Sequence, residues 1–175
     1  MDIQILGNGS LKIKSKKATL AVDPKSSLPK FDAEAILLMD KSSESDTKRV
    51  DNFRVVISGA GEYEVAGLKI SGIKAGNEVM FGLSSENANA IITKASFLEN
   101  VTAEKIGEYK IAIINADAKL NQSILTSMEP SVVVLYGEKA KEEAKAMGKE
   151  STSSSSKISI SEDKLPEEMD VIVLS

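Results

Sequence analysis

The 175-residue sequence contains no cysteine and no histidine. The first absence excludes disulfides, thiolate nucleophiles and zinc thiolate sites. The second removes imidazole as general base, proton shuttle or metal ligand. Tryptophan is also missing and aromatics are only 4%, so the core has to be built from Ile, Val, Leu, Ala and Met. A strong excess of either charge is missing too: the net charge is -4 with acids and bases mixed along the chain. That offers no basic face for nucleic acid or for an anionic membrane. The longest apolar runs, "ILLM" and "VVVL", fall far short of a membrane span. The opening "MDIQILGNGS" carries an acid at position 2 and no basic segment, so no secretory signal is expected and a cytoplasmic location is. The sequons at Asn8, Asn100 and Asn121 are accordingly expected to be chance matches.

What is present is a strand-rich pattern that changes character past its midpoint. "DIQIL", a turn at Gly7-Asn8-Gly9, "SLKIK" and "ATLAV" alternate with period two and predict hairpin-linked strands. Asp23-Pro24 stops the last arm, and "KSSLPKFD" reads as a loop. "AEAILLM" and "FRVVISG" read as buried strands, separated by the polar "SSESDTKRVDN", which has room for a short helical turn at most. "GEYEVAGLKISGI" predicts a second hairpin turning at Ala66-Gly67, with Glu62 and Glu64 facing solvent, and "EVMFGLS" and "NAIITKAS" continue as strands.

Strands and helices then alternate. "TAEKIG" predicts a short helix with Thr102 as N-cap and Gly107 just past its end. "NQSILTSM" predicts a helix from about Asn121 to before Pro130, and "EKAKEEAKAMG" one over 138–147, with Ala140, Ala144 and Met147 on one face and an ordinary solvated Lys/Glu face opposite. "KIAIINA", "SVVVLY", "KISIS" and "DVIVLS" are strands, and the Ser-rich stretch at about 150–156 reads as a flexible loop. One domain over 1–175 is expected, of mixed α+β or α/β class, with two sheets and helices packed outside them.

Several segments carry a resemblance. "IQILGNGSLKIKSKKATLAVDP", "VVISGAGEYEVAGLKISGI", "EKIGEYKIAIINA", "MEPSVVVLY" and "LPEEMDVIVL" together resemble the metallo-β-lactamase superfamily, in its branch of small zinc-dependent hydrolases. The Gly-x-Gly-Glu-Tyr-Glu-Val-x-Gly hairpin is the most specific match. The resemblance implies an αββα sandwich of two mixed sheets, with a cleft at the sheet edges in which catalytic members hold zinc through a His-x-His-x-Asp-His loop. That loop falls on "MDKSSESD": Asp40, Ser42 and Ser45 stand where the histidines would be, and Glu44 where the aspartate would be. Asn8 stands at the histidine of the branch's Leu-Gly-His-Ser. Of the later ligands, a histidine falls within "KAGNE", the bridging aspartate near "SFLEN" and the last histidine near 136–138.

Imidazole ligands keep zinc acidic enough to activate water, and Asp, Glu and Ser do not replace them. The leading expectation is therefore a pseudoenzyme: metal-free and non-catalytic, without cofactor, acting as a binding or scaffold module toward a second copy of itself, as a homo-oligomer, or toward another protein. The alternative is a divergent hydrolase with an oxygen-liganded Mg or Mn ion at the loop 40–46, where Asp40, Glu44 and Asp46 are the candidate ligands. That loop also echoes an EF-hand, with Ser45 in place of the turn glycine and Asp51 in place of the final glutamate. A Lys41-Ser42 hydrolase pair and a phosphate loop at Gly59-Ala60-Gly61 are weaker readings, since common loop residues and a glycine hairpin entry account for both. A third reading is a metal-free cleft, lined by Ser and Asp, that takes a small ligand.

Overall fold

The computed structural model describes residues 1–7, 9–41, 45–84, 89–148 and 155–175. Strands β1 (Asp2–Gly7), β2 (Ser10–Lys14) and β3 (Thr19–Val22) form an antiparallel meander. A two-residue strand β4 (Phe31–Asp32) follows, then β5 (Ala35–Leu37), β6 (Val50–Asp51) and β7 (Val55–Ile57). The next strands are β8 (Gly61–Val65), β9 (Leu68–Ala75), β10 (Glu78–Ser84), β11 (Asn89–Lys94), β12 (Ile111–Asn115) and β13 (Val132–Tyr136). The last two are β14 (Lys157–Ser159) and β15 (Asp170–Val173). Among the described residues they make one sheet ordered β14-β1-β2-β3-β5-β7 and a second ordered β15-β13-β12-β11-β10-β9-β8, with β4 and β6 as a separate pair.

Period-two alternation sorts the side chains. In β13, Val132, Val134 and Tyr136 face the other sheet, while Val133 and Leu135 face outward. The same holds for Ile111 and Ile113 against Ala112 and Ile114 in β12. The inward set meets Leu11, Ile13, Leu20, Val22 and Leu37 of the first sheet in the inter-sheet core. The outward set is covered by α1 (Ala95–Leu98), α2 (Ala103–Ile106), α3 (Gln122–Ser127) and α4 (Ala140–Ala146). The first sheet's outer face is covered differently. There Ala21 and Ile36 pack against Ala33 and Val50, so the β4/β6 ribbon rather than a helix supplies the layer among the described residues.

Two sheets with helices outside, as the sequence implies, are thus observed, and local differences have local causes. β7 is an edge strand whose Val56 is exposed, whereas "FRVVISG" was expected to be buried throughout. "NAIITKAS" stops being a strand at Lys94, because Phe97 and Leu98 bury themselves against the outer face as α1. The predicted loop 25–32 contains β4, paired in parallel with β6. Asn121 caps α3, accepting a hydrogen bond from Ile124 N at 3.3 Å, while Thr102 has the N-cap backbone without a side-chain bond. The solvated face expected for α4 is broken by Glu143, which is buried and accepts from Leu120 N at 3.1 Å. The Ser-rich stretch lies mostly outside the described residues.

Gly72, in the middle of β9, faces the backbone of the preceding loop so closely that a Cβ there would be driven into the Gly59 carbonyl oxygen. Backbone cannot swing aside as a side chain can. Gly72→Ala is expected to cost about 2 kcal/mol or more through overpacking, read as a lowered denaturation midpoint; an unchanged midpoint would show that the hairpin entry shifts freely.

Candidate functional site at the sheet ends

The strands β11, β12 and β13 run parallel, so their carboxyl ends share one edge of the sandwich. Their last residues, Lys94, Asn115 and Tyr136, stand side by side in register. Lys94 continues the inward series Ala90 and Ile92 of β11, and Tyr136 that of β13. From the first sheet, Asp23 follows β3 and Asp40 follows β5 at the same edge, where Val79 N donates to Met39 O at 2.7 Å and joins the two sheets. Carboxyl ends of parallel strands are where α/β folds place their crevices.

One cation sits among carboxylates there. Lys94 Nζ donates to Glu78 Oε1 at 3.1 Å and to Asp40 Oδ2 at 3.4 Å, and lies 3.6 Å from Asp117 Oδ2. Its side chain is only 16% exposed. Burial works to lower the Lys94 pKa, but Glu78, Asp117 and Asp40 outweigh it and hold the ammonium above the ordinary lysine value. Ser96 ties the acids together: its Oγ lies 2.8 Å from Glu78 Oε1 and 2.7 Å from Asp117 Oδ2, and its backbone N donates to Asp117 Oδ1 at 3.0 Å. A hydroxyl has one hydrogen, so it donates to only one of the two carboxylates at a time.

Two more polar groups lie deeper. Asp23 is 4% exposed, accepts from Met39 N at 2.9 Å, and has a left-handed backbone with φ +44°. Burial pushes its carboxyl up to about 6, against the bond from Met39 and the charges of Lys25 and Lys94. Tyr136 is fully buried, and its hydroxyl has no hydrogen-bond partner among the described residues. Burial first, then the nearby Asp23 and Asp117 charges, raises it well above the ordinary phenol value. An orphaned hydroxyl costs its full desolvation, so Tyr136→Phe is expected to stabilise the protein by about 1 kcal/mol. Urea denaturation would show this, and a loss of stability would mean that the hydroxyl is satisfied in solution.

The positions implied by the resemblance are only partly drawn together. Asp40 and Glu78, the latter from "KAGNE", converge on Lys94, and Tyr136 ends the strand two places along. Ser45 makes a bridge to Lys25 instead. Asp46 caps the 3-10 turn Thr47–Arg49, accepting from Lys48 N at 3.1 Å and lying 3.5 Å from Arg49 Nε. Asn8, Ser42 and Glu44 lie outside the described residues. Sequence reasoning passed over Lys94 and Asp117, and reached Ser96 only within "SFLEN", the stretch where the bridging aspartate falls. For Lys94 the signal was available, since a charged residue continues an otherwise apolar inward series.

No protein-family profile matches the sequence, and no curated protein matches it significantly. Solved structures do. A protein from Thermotoga maritima described as a zinc-dependent hydrolase of the metallo-β-lactamase superfamily superimposes with a TM-score of 0.76, over 99% of this chain and 97% of that one, at 18% identity. The chain has the metallo-β-lactamase fold. The metallo-β-lactamase fold protein YhfI of Bacillus subtilis also matches, with a TM-score of 0.57 at 8% identity, over 99% of this chain and 96% of that one.

Zinc is the metal this fold implies, and the residues present do not fit it. Zinc takes about four ligands at roughly 2.0–2.3 Å, mostly imidazole nitrogen or thiolate sulfur. Here the carboxylates are spaced around an ammonium at ion-pair distance, and a dication placed among them would sit against Lys94 Nζ. Among the described residues no three acidic side chains converge closely enough to hold a metal ion.

Proposed function

We propose that this chain is a non-catalytic, metal-free protein of the metallo-β-lactamase fold, acting as a binding or scaffold module. One observation carries this reading: the ammonium of Lys94 stands among Asp40, Glu78 and Asp117 at the sheet ends, neutralising charge that a metal would otherwise balance. An ammonium fixed in this way supports carboxylates in place, but it cannot act as a Lewis acid or lower the pKa of a bound water as a metal does. With no histidine in the chain, no imidazole is at hand to take up the proton-transfer role either. What remains is a rigid edge with a cleft, suited to holding something rather than converting it. Its partner is a small ligand, a second copy or another protein. No described helix is long and apolar enough to cross a membrane.

The test is an esterase and phosphodiesterase panel run with and without added Zn, Mn and Mg. No turnover above background is expected under any condition. Metal-dependent turnover that disappears in Asp40→Ala or Glu44→Ala would replace this reading with that of a divergent hydrolase using the loop 40–46.

A further inference from the structure

The two flanks of the sandwich treat their edge strands differently. On one flank β14 carries Lys157, in an ion pair with Asp2 at 3.0 Å, and a bridge from Ser155 to Leu174 ties β14's side to the end of β15. On the other, β7 ends the first sheet and β8 the second, and among the described residues no strand pairs beyond either. β7 reads Val-Val-Ile, with no charge or proline within it to blunt the edge. The layer over the first sheet also stops short there. Ala21, Ile36 and Val56 stand in one row across β3, β5 and β7, and the β4/β6 ribbon covers only the first two. Val56 is 39% exposed, and Phe53, two residues past β6, is 38% exposed; among the described residues they are the only large apolar side chains left in solvent. Charge of both signs flanks them. Arg54, Glu62 and Glu64 are exposed on this side, Arg54 and Glu64 lining a cleft of about 250 Å³ between β7 and β8. None of the three has an ion-pair partner among the described residues.

We infer that β7 pairs with β7 of a second copy of this chain, antiparallel about a twofold axis at Val56, so that two six-stranded sheets join into one. An isologous contact needs a surface complementary to itself. This one qualifies, because its apolar residues meet their own counterparts and its unpaired charges carry both signs. Across the axis Val56 stands directly opposite Val56, at the separation where cross-strand side chains touch. Arg54 of each copy falls opposite Ser58 of the other, beside the turn that leads to Glu62. A partner of one charge sign would meet repulsion from either Arg54 or the two glutamates, whereas a second copy satisfies both. Tyr63 keeps that turn in place, its hydroxyl donating to Ala60 O at 3.2 Å. The added strand is short, so the association is weaker than that of a standard interface. The inference rests on the reading of the chain as a binding module and names its partner, but it fails by a different measurement.

The experiment is sedimentation equilibrium of the full chain at low salt, carried to the highest soluble concentration. A reversible monomer–dimer equilibrium is expected. Val56→Lys, which places a charge on the edge, and Arg54→Glu should each weaken it by about tenfold or more. So should the double variant Glu62→Lys with Glu64→Lys. These positions are exposed, so the variants keep the fold. An equimolar mixture of Arg54→Glu with the double lysine variant should recover the dimer, because one copy is then wholly acidic on this face and the other wholly basic. A wild type that stays monomeric throughout would overturn the inference and leave the edge to solvent or to a strand of another protein. Growth beyond two chains, a dimer indifferent to Val56→Lys, or a mixture no more associated than its parts would overturn it too. A monomeric result leaves the metal-free reading untouched, and metal-dependent turnover in the substrate panel would remove that reading while leaving the dimer standing.

Discussion

Replacing Lys94 by methionine is expected to cost about 2 to 3 kcal/mol at neutral pH, because breaking an enclosed ion pair leaves the remaining charge uncompensated. The estimate sits below the range for fully buried pairs, since Asp117 is 29% exposed and keeps some contact with solvent. Methionine retains the apolar stem, so the loss isolates the charge from the packing. Asp40, Glu78 and Asp117 would then repel one another across a few ångströms. Lys94→Arg, which keeps the positive charge, should lose much less. Lys94→Ala should recover part of its stability in millimolar Ca or Mn, which wild type should ignore, because oxygen donors without their ammonium favour hard cations. Chemical denaturation with and without the ion reads all three. Equal stability of wild type and Lys94→Met would mean that the ammonium contributes nothing to holding the edge together.

Asp23→Asn is expected to stabilise the protein above pH 6 and to do little below pH 4. The carboxyl of Asp23 is raised from 3.8 to about 6 by burial, so the folded state holds its proton more tightly than the unfolded state does. Its contribution to stability is fully present below pH 3.8 and is lost as pH rises through about 6. Over that window the loss is on the order of 3 kcal/mol at 1.36 kcal/mol per unit. Asparagine removes the charge, keeps an oxygen to accept from Met39 N, and tolerates the left-handed backbone that Asp23 adopts. Denaturation midpoints of wild type and variant should therefore converge in acid and separate by pH 7. Parallel curves across the whole range would show that the ionised carboxyl is solvated after all.

The two variants probe opposite electrostatic situations a short distance apart. Lys94 is a charge kept because its partners surround it, and Asp23 is a charge resisted because burial outweighs the bond from Met39 and the charges of Lys25 and Lys94. Both follow from the way parallel strands β11, β12 and β13 and the end of β3 bring their last residues to one edge of a closely packed sandwich. Stability spent on such an edge is commonly recovered elsewhere in the core, and here the inter-sheet layer of Ile, Val and Leu is continuous beneath it.

Much of this architecture was legible in the sequence. Period-two alternation in "KIAIINA" and "SVVVLY" set strands and their faces, and the Gly-Glu-Tyr-Glu hairpin located β8 and β9. The fold followed from the order of such segments. Less legible were features fixed by distant partners. Glu143 is buried because Leu120 N, 23 residues away, needs an acceptor, and nothing in α4's own spacing says so. Val56 is exposed because β7 ends its sheet, which strand pattern alone does not reveal. At the site, attention went to the acids of "MDKSSESD", of which Asp40 reaches the edge and Asp46 is taken by its own turn. The cation that organises the edge came from another strand 54 residues on, and only the sheet brings it to Asp40.

What neutralises the carboxylates at that edge separates a metal-free chain from a metal-binding one. Elemental analysis of the purified wild-type protein, prepared without chelator, addresses it directly. Zinc, iron and manganese are each predicted far below one equivalent per chain. A stoichiometric, tightly held metal that is lost on substituting Asp40 would contradict the account, because it would show that Lys94 does not hold the place of the ion.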